Sequence, residues 1–406
     1  MRFRTTAIAI AVAAALPAVA GAVDFSYSAF SSAGYVQTDE DLAQYGYVGM
    51  PEGVDSDGSY EYDSKFGLQL TAKLNEMLSA TVQGVAYTDL TSNWEPRLDW
   101  AYLQFKPVQS LSAKVGYMRA PTFMFSDSVF IGYANTWVRP PIEVYNLAPA
   151  YQLRGIELSW RQQIGPVNFS LQPYFGDSEL KMGATEQPFK MKNWMGVAAG
   201  IQYKAVTLRG GFGSLEMDTI SERLQPLVDG LRAVPAALCG ICAIEADRVD
   251  MKGDKFTLGE VGVEYDDGGN VFLAEYANRQ SEGSYTLPDM HSAYATVGHR
   301  FGGLMPYATY AIARREGVMS SSVPAAGPLV PLAVGLGDLL ANNNSQDSWS
   351  VGLRYEVPGF SVIDGAQLKL QYDSIEAKEG NGMFLNVQPG FDGTADMFSI
   401  SLDFIF

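Results

Sequence analysis

Apolar and polar residues alternate with a period of two along most of the chain. In residues 65–74 every second side chain is apolar, and the same pattern returns in 154–161 and 348–356. Such alternation predicts β-strands that have one face in an apolar environment and one in a polar environment. Sixteen segments show the pattern: 25–37, 64–74, 78–88, 97–106, 111–119, 151–162, 167–175, 193–203, 206–213, 255–265, 270–279, 290–300, 306–314, 347–357, 366–373 and 396–406.

The connections between these segments alternate in length. Short ones (75–77, 107–110, 163–166, 204–205, 266–269, 301–305, 358–365) follow long ones (38–63, 89–96, 120–150, 176–192, 214–254, 280–289, 315–346, 374–395). An even strand number with short periplasmic turns and long extracellular loops is typical of an all-β transmembrane antiparallel β-barrel. The alternative, a soluble β-sandwich or β-helix, has no need for so regular a change in connection length.

The amino terminus has the pattern of an export signal. Arg2 and Arg4 precede an apolar run over 7–16 and small residues over 18–22, which predicts a signal peptide over 1–22 and a barrel over 23–406. The most apolar later stretch, 323–340, contains three prolines and Asp338, so it is not expected to span a membrane as a helix. In hydrocarbon the remaining solution is a closed barrel, because only helices and closed barrels pair every backbone N–H and C=O.

The apolar faces are expected to contact lipid, and the polar faces to line a water-filled lumen. Sixteen strands enclose a lumen too wide for wall side chains alone to fill. The predicted lumen wall carries eight basic and seven acidic residues, so it is nearly neutral and has no ring of one charge. The basic residues are Lys65, Lys73, Lys114, Arg161, Arg209, Arg300, Arg354 and Lys369. The face of Arg97 and Asp99 is ambiguous from the pattern.

Composition excludes several classes of function. The 406 residues include 28 Lys+Arg and 45 Asp+Glu, a formal charge of -17, which argues against binding to nucleic acid. Two His and two Cys leave little for a metal site, and no cofactor is expected. His291 and His299 fall on the apolar parity of their strand, so they are not expected to be catalytic bases, and the protein is not expected to be an enzyme.

Cys239 and Cys242 lie three positions apart in the long loop 214–254. In an exported loop this spacing favours a small structural disulfide over redox catalysis. No second pair of cysteines exists for a zinc site.

The negative charge is concentrated in the loops. The first loop, 38–63, contains eight acidic residues and no Lys or Arg. An acidic mouth raises the local concentration of cations, and salt weakens this effect. The sequence therefore predicts a mild cation preference. The alternative is a solvated acidic surface that binds divalent cations alongside lipopolysaccharide.

The carboxyl-terminal strand is the most specific motif. Phe398, Ile400, Leu402 and Phe404 alternate with other residues up to the terminal Phe406, and the first strand begins directly after the predicted signal. With these features the chain resembles the Gram-negative outer-membrane porins of the 16-stranded general-diffusion type. The resemblance implies an outer-membrane location, recognition of the last strand by the barrel-assembly machinery, contact with lipid and lipopolysaccharide, and a homotrimer.

Two short segments resemble porin wall motifs. Residues 64–68 are similar to the porin pattern Ser-Arg-Leu-Gly-Phe, and residues 97–101 to Arg-Leu-x-x-Ala. The resemblance implies that Lys65 and Arg97 are wall bases at a constriction, although Lys65 replaces an Arg and Asp99 stands where the pattern is usually uncharged.

The third long loop, 120–150, lies where porins fold a loop into the lumen, and it is unusually rich in apolar and aromatic residues. Asp127 and Glu143 would then face the wall bases, while Arg139 adds a positive charge to the loop. The alternative is a loop folded over the barrel mouth. The candidate constriction residues are Lys65, Arg97, Lys114, Asp127, Arg139, Glu143, Arg161, Arg209, Arg300 and Arg354.

These features together predict passive diffusion of small hydrophilic solutes and ions. One alternative is a substrate-specific channel of the same fold, for an anion or for a sugar. Tyr133, Trp137 and Tyr145 could begin an aromatic slide for a sugar. The other alternative is a non-conducting surface adhesin or structural barrel whose loops 214–254 and 315–346 bind a partner.

Overall fold

Antiparallel strands form a closed barrel in the computed structural model, which describes residues 23–47, 49–148, 152–181, 183, 187–219, 222–317, 320–341, 345–358 and 365–406. The predicted signal peptide, loop residues 149–150 and most of the last short turn, 359–364, lie outside the described residues. The strands are β1 (Asp24–Thr38), β2 (Gln44–Tyr45), β3 (Lys65–Lys73), β4 (Leu78–Thr88), β5 (Trp94–Val108), β6 (Leu111–Arg119), β7 (Gln152–Ile164), β8 (Val167–Leu180), β9 (Phe189–Tyr203), β10 (Val206–Met217), β11 (Lys255–Asp266), β12 (Asn270–Gln280), β13 (Met290–His299), β14 (Leu304–Arg315), β15 (Gln346–Glu356), β16 (Gly365–Ala377), β17 (Phe384–Leu385) and β18 (Thr394–Ile405).

Sixteen of these strands make the wall, and the two-residue strands β2 and β17 pair with each other outside it, joining the first and last loops. Each wall strand pairs with its neighbours in chain order. The predicted 16-stranded antiparallel barrel is therefore confirmed. Strands such as β8 extend beyond their predicted ends on the loop side, because they leave the apolar zone there and the alternation that marks them fades.

The two ends of the chain close the barrel. Phe30 of β1 lies opposite Ile405 of β18, and Asp24 lies opposite Lys73 of β3. The terminal Phe406 N–H donates to the Ala29 carbonyl oxygen at 2.8 Å. Closure gives every wall strand a neighbour on both sides, which is the condition for a sheet to exist in hydrocarbon.

The parity of each strand separates the two faces as the sequence predicts. On β18 the outward Phe398 is 48% exposed, whereas Ser399 and Asp403 on the inner face are fully buried. His291 and His299 share the outward parity of β13 with Val297. The apolar surface therefore lies on the outside, where a soluble protein would have its polar residues.

The described helices all lie in loops: α1 (Ile142–Tyr145), α2 (Gln225–Arg232), α3 (Cys242–Val249) and α4 (Val330–Ala341). Helices α2, α3 and α4 bury one apolar cluster that includes Val228, Cys242 and Leu336, and we call this unit the helical cap. A disulfide joins Cys239 to Cys242. Within the described ranges, no helix has the length and apolar character needed to cross a membrane.

The orientation of β8 can be tested by placing the same charge on adjacent residues of opposite faces. Leu171 is 40% exposed on the outer face, and Gln172 points inward towards Ser159. Leu171→Arg should lower the free energy of unfolding in lipid by about 2–4 kcal/mol, because it places a charge in hydrocarbon. Gln172→Arg should change it by less than about 1 kcal/mol. Denaturant unfolding of both variants in liposomes measures the difference, and equal losses would contradict the assigned faces.

Candidate pore constriction

The described part of the third loop, 120–148, packs against side chains on the inner face of the barrel. The Trp137 indole N–H donates to the hydroxyls of Thr296 at 3.1 Å and Thr309 at 2.9 Å, on β13 and β14. The backbone N–H of Val138 donates to Gln371 of β16 at 3.0 Å. These wall residues lie on three different strands, so the loop follows the inner wall over a considerable distance.

Lys369 of β16 is a buried side chain that holds the third loop to the wall, and we call such a side chain an anchor. Its ammonium donates to the carbonyl oxygens of Gly132, Asn135 and Trp137 at 2.6, 2.7 and 2.9 Å. It also forms an ion pair with Asp403 of β18 at 3.0 Å, and neither side chain is more than 1% exposed. An ammonium can donate three hydrogen bonds, and here each goes to the loop backbone while the carboxylate balances the charge.

Arg139 makes a second anchor that includes the first loop. Its guanidinium pairs with Asp63 of the first loop and, at 3.5 Å, with Asp373 of β16. It also donates to the Ser399 hydroxyl of β18. All three charged side chains are buried, so the first loop, the third loop and the wall are held by one ionic network.

Two arginines hold the chain where it leaves β6 and turns inward. Arg209 of β10 donates to the carbonyl oxygens of Pro121 at 2.6 Å and Phe123 at 2.5 Å. Arg119 lies 2.6 Å from both carboxylate oxygens of Asp99 through one terminal nitrogen, Nη2, and its other terminal nitrogen donates to the Ser126 carbonyl oxygen at 3.0 Å. These charge-assisted hydrogen bonds hold the start of the loop to β5, β6 and β10 where it enters the lumen.

A β-bulge explains why the inward face of β5 is ambiguous in the sequence. The register with β4 shifts between Gln83 and Gly84, which leaves Asp99 as an extra residue. The side chains of Arg97, Asp99 and Trp100 therefore all lie on the lumen side. Period-two alternation fails at such a point, because two consecutive residues share one face.

The lumen is not polar on all sides, and the expectation of a uniformly wet inner face is wrong for β11–β14. Leu258, Leu273, Tyr294, Met305 and Tyr307 on the inner parity of these strands are buried. They belong to one apolar cluster with Phe123, Trp137 and Tyr145 of the third loop. The loop supplies the second surface of an apolar core, so its aromatic composition and the apolar inner wall have the same cause.

The opposite side of the lumen contains a cavity of about 660 Å³, which we call the outer cavity. It lies between the first loop, the third loop and strands β3–β8. Half-buried tyrosine rings line it, Tyr62 and Tyr87 among them. Its charged lining consists of Lys65, Arg97, Arg139, Arg154, Lys181, Asp63, Asp89 and Glu179. The lining thus has five basic residues and three acidic ones, of which Arg154 and Glu179 lie on the outward parity at its rim and are 64% and 45% exposed.

The structure brings part of the expected constriction set together. Lys65, Arg97 and Arg139 line the outer cavity. Lys114 lies 3.0 Å from Glu157 of β7, so its charge is balanced by the wall itself. Asp127 is an exposed residue in a loop that is otherwise largely buried. Arg209 lies under the loop as an anchor.

Other expected constriction residues lie elsewhere. Glu143 does not face the wall bases: it is 1% exposed and accepts a hydrogen bond from Gln346 at 2.8 Å, and burial raises the pKa of its carboxyl. Arg300 lies beyond the end of β13 and pairs with Asp266 at 2.6 Å. Trp160 lies opposite Leu111, the first residue of β6. Arg161, the next residue, is therefore at the end of the barrel that has the short turns.

These corrections share one physical reason. The parity of a strand gives the face on which a side chain lies, but not its height along the barrel axis, which depends on the stagger between strands. Arg354 is the exception, since the register places it directly opposite Lys369 of β16 and therefore close to the third loop, and its guanidinium lies 3.4 Å from Glu356.

The anchoring role of these side chains is not predicted by the sequence. Lys369 and Asp403 lie on inner-facing positions among many other charged residues. The sequence does contain an indication of this role. Lys369 and Asp403 each stand between two apolar residues, and both face the lumen from neighbouring strands. Arg119 and Asp63 gave no such signal, since both lie at strand or loop ends. In the described ranges, no group of three or more His, Cys, Asp or Glu residues could hold a metal ion.

Removing the ammonium of Lys369 should release the third loop. In Lys369→Met, three loop carbonyls lose their donor and Asp403 becomes an unpaired buried charge, so the free energy of unfolding should fall by about 3–5 kcal/mol. Lys73→Met removes only an exposed pair with Glu76 and should change it by about 0–1 kcal/mol. Denaturant unfolding in detergent micelles compares the two. A Lys369→Met variant as stable as Lys73→Met would show that Lys369 is not an anchor.

No protein-family model matches this sequence, and no curated protein matches it significantly. Solved structures do match. The trimer form of OmpT, an outer membrane protein of Vibrio cholerae, is 13% identical with a TM-score of 0.56, covering 95% of this chain and 100% of that one. The outer membrane channel DcaP of Acinetobacter baumannii is 11% identical with a TM-score of 0.56, covering 96% and 99%. An anion-selective porin from Comamonas acidovorans is 11% identical with a TM-score of 0.51, covering 95% and 100%. The chain therefore has the fold of the 16-stranded outer-membrane porins.

Proposed function

We propose that this protein is a passive diffusion channel of a Gram-negative outer membrane that admits small hydrophilic solutes and ions. The observation that carries the proposal is the closed 16-stranded wall whose lumen the third loop fills only in part. The outer cavity that the loop leaves has a charged lining, which suits hydrated solutes. A channel needs such a polar passage through a wall whose outer face is apolar.

The location and assembly follow from the same features. We propose export through a signal peptide over 1–22, recognition of β18 by the barrel-assembly machinery, and an outer surface in contact with lipid and lipopolysaccharide. A homotrimer is part of the proposal. The trimer form of the similar Vibrio cholerae OmpT supports it.

The proposal is a channel rather than an enzyme. A hydrolase built on a serine would need a histidine beside the nucleophile. Here the His291 ring lies 3.2 Å from Glu316, and the His299 ring lies 2.9 Å from Asn270. Both histidines are on the outward parity of β13, away from the lumen.

We propose a mild cation preference that originates at the mouth. In the first loop Glu52, Asp57 and Glu61 are exposed. Fixed negative charge at an entrance raises the local concentration of cations within a Debye length of about 8–10 Å.

An anion-selective channel is the second candidate, and the outer cavity favours it. Five basic residues against three acidic ones line it, and three of the basic residues, Lys65, Arg97 and Arg139, are half-buried or buried, so their charges are less screened than the exposed charges of the mouth. A sugar channel has less support, because two of the three candidate rings, Trp137 and Tyr145, are at most 1% exposed and Tyr133 is half-buried.

Single-channel recording in a planar bilayer under a KCl gradient tests the function. A stable conductance supports a diffusion channel. A reversal potential shifted towards the equilibrium potential of K⁺ indicates that the acidic mouth sets the ion selectivity. A shift towards the equilibrium potential of Cl⁻ indicates that the outer cavity sets it. Absence of conductance from correctly folded barrels would contradict the proposal and favour an adhesin that binds through the loops 214–254 and 315–346.

The contribution of the mouth can be measured separately. The triple variant Glu52→Gln, Asp57→Asn, Glu61→Gln removes three exposed negative charges and should move the reversal potential towards the Cl⁻ side. The shift should be largest in dilute salt, since about 1 M salt shortens the Debye length to about 3 Å. The control is Glu222→Gln on the loop that bears the helical cap. An unchanged reversal potential in the triple variant at low salt would exclude the mouth as the source of selectivity.

A further inference from the structure

We propose that Glu143 is a pH-dependent latch: its neutral carboxyl group holds the first and last loops against the third loop, and its ionisation releases them. The inference goes beyond the proposed channel function and does not depend on it, because it concerns the position of the loops rather than the passage of a solute. It is based on the contacts of Glu143, on the charges that face it and on the small space around it.

Glu143 lies where three loops meet the wall. It belongs to α1 of the third loop, and its carboxyl oxygen accepts a hydrogen bond at 2.8 Å from the side-chain amide of Gln346, the first residue of β15. The Gln346 amide oxygen accepts from the backbone N–H of Met383 in the last loop at 3.1 Å. The Gln346 amide nitrogen also lies 3.5 Å from the Tyr45 hydroxyl of the first loop. One glutamine therefore connects Glu143 to the first and last loops.

Apolar packing joins the same three loops. Ile142, the neighbour of Glu143 in α1, belongs to one buried cluster with Tyr45 and Val54 of the first loop and Phe384 of the last loop. Tyr45 and Phe384 also lie opposite each other in the short sheet of β2 and β17. A change at Glu143 therefore acts on the first and last loops as one unit.

The charges around Glu143 disfavour a second negative charge. Asp373 of β16 acts on Glu143 as a like charge. The cation of this region, Arg139, is already bound to Asp63 and Asp373. The other side chains that face Glu143 are uncharged: Gln346 and Ser348 of β15 and Tyr45 of the first loop. An ionised Glu143 is therefore a second buried carboxylate without a cation of its own, an arrangement that favours the neutral form.

The space around Glu143 is too small to hydrate an ionised carboxylate. A cavity of about 20 Å³ is lined by Glu143, Ser348, Ser350 and Asp373, among others, and it has room for one water molecule. Burial accordingly raises the pKa of the Glu143 carboxyl by more than its hydrogen bonds, the one from Gln346 among them, lower it. Hydration of the ionised form requires the first and last loops to move away from the third loop.

The direction of the pH dependence follows from this shift. The pKa of Glu143 in the folded protein lies above its value in an unfolded chain, about 4.3. The junction of the three loops is therefore most stable below that value, and it loses stability as the pH rises through the pKa of the folded state. Tyr47 and Tyr62 of the first loop line the outer cavity. The latch therefore keeps this cavity covered at acidic pH and opens it at alkaline pH.

Hydrogen exchange of the loops, measured by mass spectrometry on the full-length folded protein in detergent micelles at about pH 5 and about pH 9, tests the latch. The reporter peptides contain β2, β17 and the N–H of Met383, which donates to Gln346. Rates are divided by those of unstructured peptides at the same pH, which removes the direct effect of pH on exchange. We expect protection to be at least about tenfold lower at the higher pH, a ratio of about 1.4 kcal/mol. Equal protection at both pH values would overturn the proposal.

Glu143→Gln identifies the ionisable group. Its amide keeps the shape of the side chain and an oxygen that accepts from Gln346, but it cannot ionise. We expect its protection to be equal at both pH values and as high as that of the wild type at the lower one. The matched control is Glu61→Gln, which removes an exposed carboxylate of the first loop and should keep the pH dependence of the wild type. A Glu143→Gln variant that loses protection as the wild type does would overturn the latch, and the wild-type comparison decides even if the variant does not fold.

Discussion

The buried ammonium of Lys369 is the interaction on which the interior of this barrel depends. It binds three carbonyl oxygens of the third loop and the carboxylate of Asp403, so it joins the loop to β16 and β18 at one point. A buried ion pair gives little net stability in itself, but loss of one partner leaves a charge without compensation. The loop can therefore leave the wall only at a high energetic cost, and its position is specified rather than merely favoured.

The remaining architecture of the lumen follows from that position. With the loop fixed against β10–β18, its aromatic side chains meet the apolar inner face of β11–β14 and form a core there. The free volume is left on the side of β3–β8, where Lys65 and Arg97 lie. The third loop thus packs against β11–β14 and, through Phe130 and Tyr87, against β4, and the outer cavity is the space that it leaves. The acidic first loop is tied to this arrangement through the pair of Asp63 with Arg139, so the charged mouth and the cavity behind it are mechanically connected.

Most of the wall could be predicted from the sequence, because a strand in a barrel obeys one local rule. Side chains alternate between lipid and lumen, so Phe398, Ile400 and Leu402 could be assigned to the outer face without knowing any neighbour. The rule fails at Asp99, where a bulge places two consecutive residues on one face. The rule also does not give the height of a residue along the barrel axis. For this reason Arg161 and Arg300 were expected near the third loop.

The site was less predictable, because its contacts join residues far apart in the chain. Arg139 and Asp373 are 234 positions apart, and Lys369 reaches Gly132 across 237. The local alternation of apolar and polar residues gives no information about pairs so far apart in the chain. The expected role of Glu143 failed for the same reason, since whether a loop carboxylate faces the aperture or the wall depends on the path of the loop. The aromatic composition of the third loop did indicate that it packs against something, and its partner proved to be the inner wall of β11–β14.

Backbone hydrogen exchange of the third loop, measured by mass spectrometry on the folded barrel, tests the central claim most directly. The N–H groups of Met124 and Val138 donate to Glu275 and Gln371 of the wall. If the loop is part of the packed interior, peptides from 120–148 should exchange as slowly as the barrel strands. Exchange as fast as that of an unstructured peptide would show that the third loop lies free of the wall, and the account of the lumen given above would be wrong.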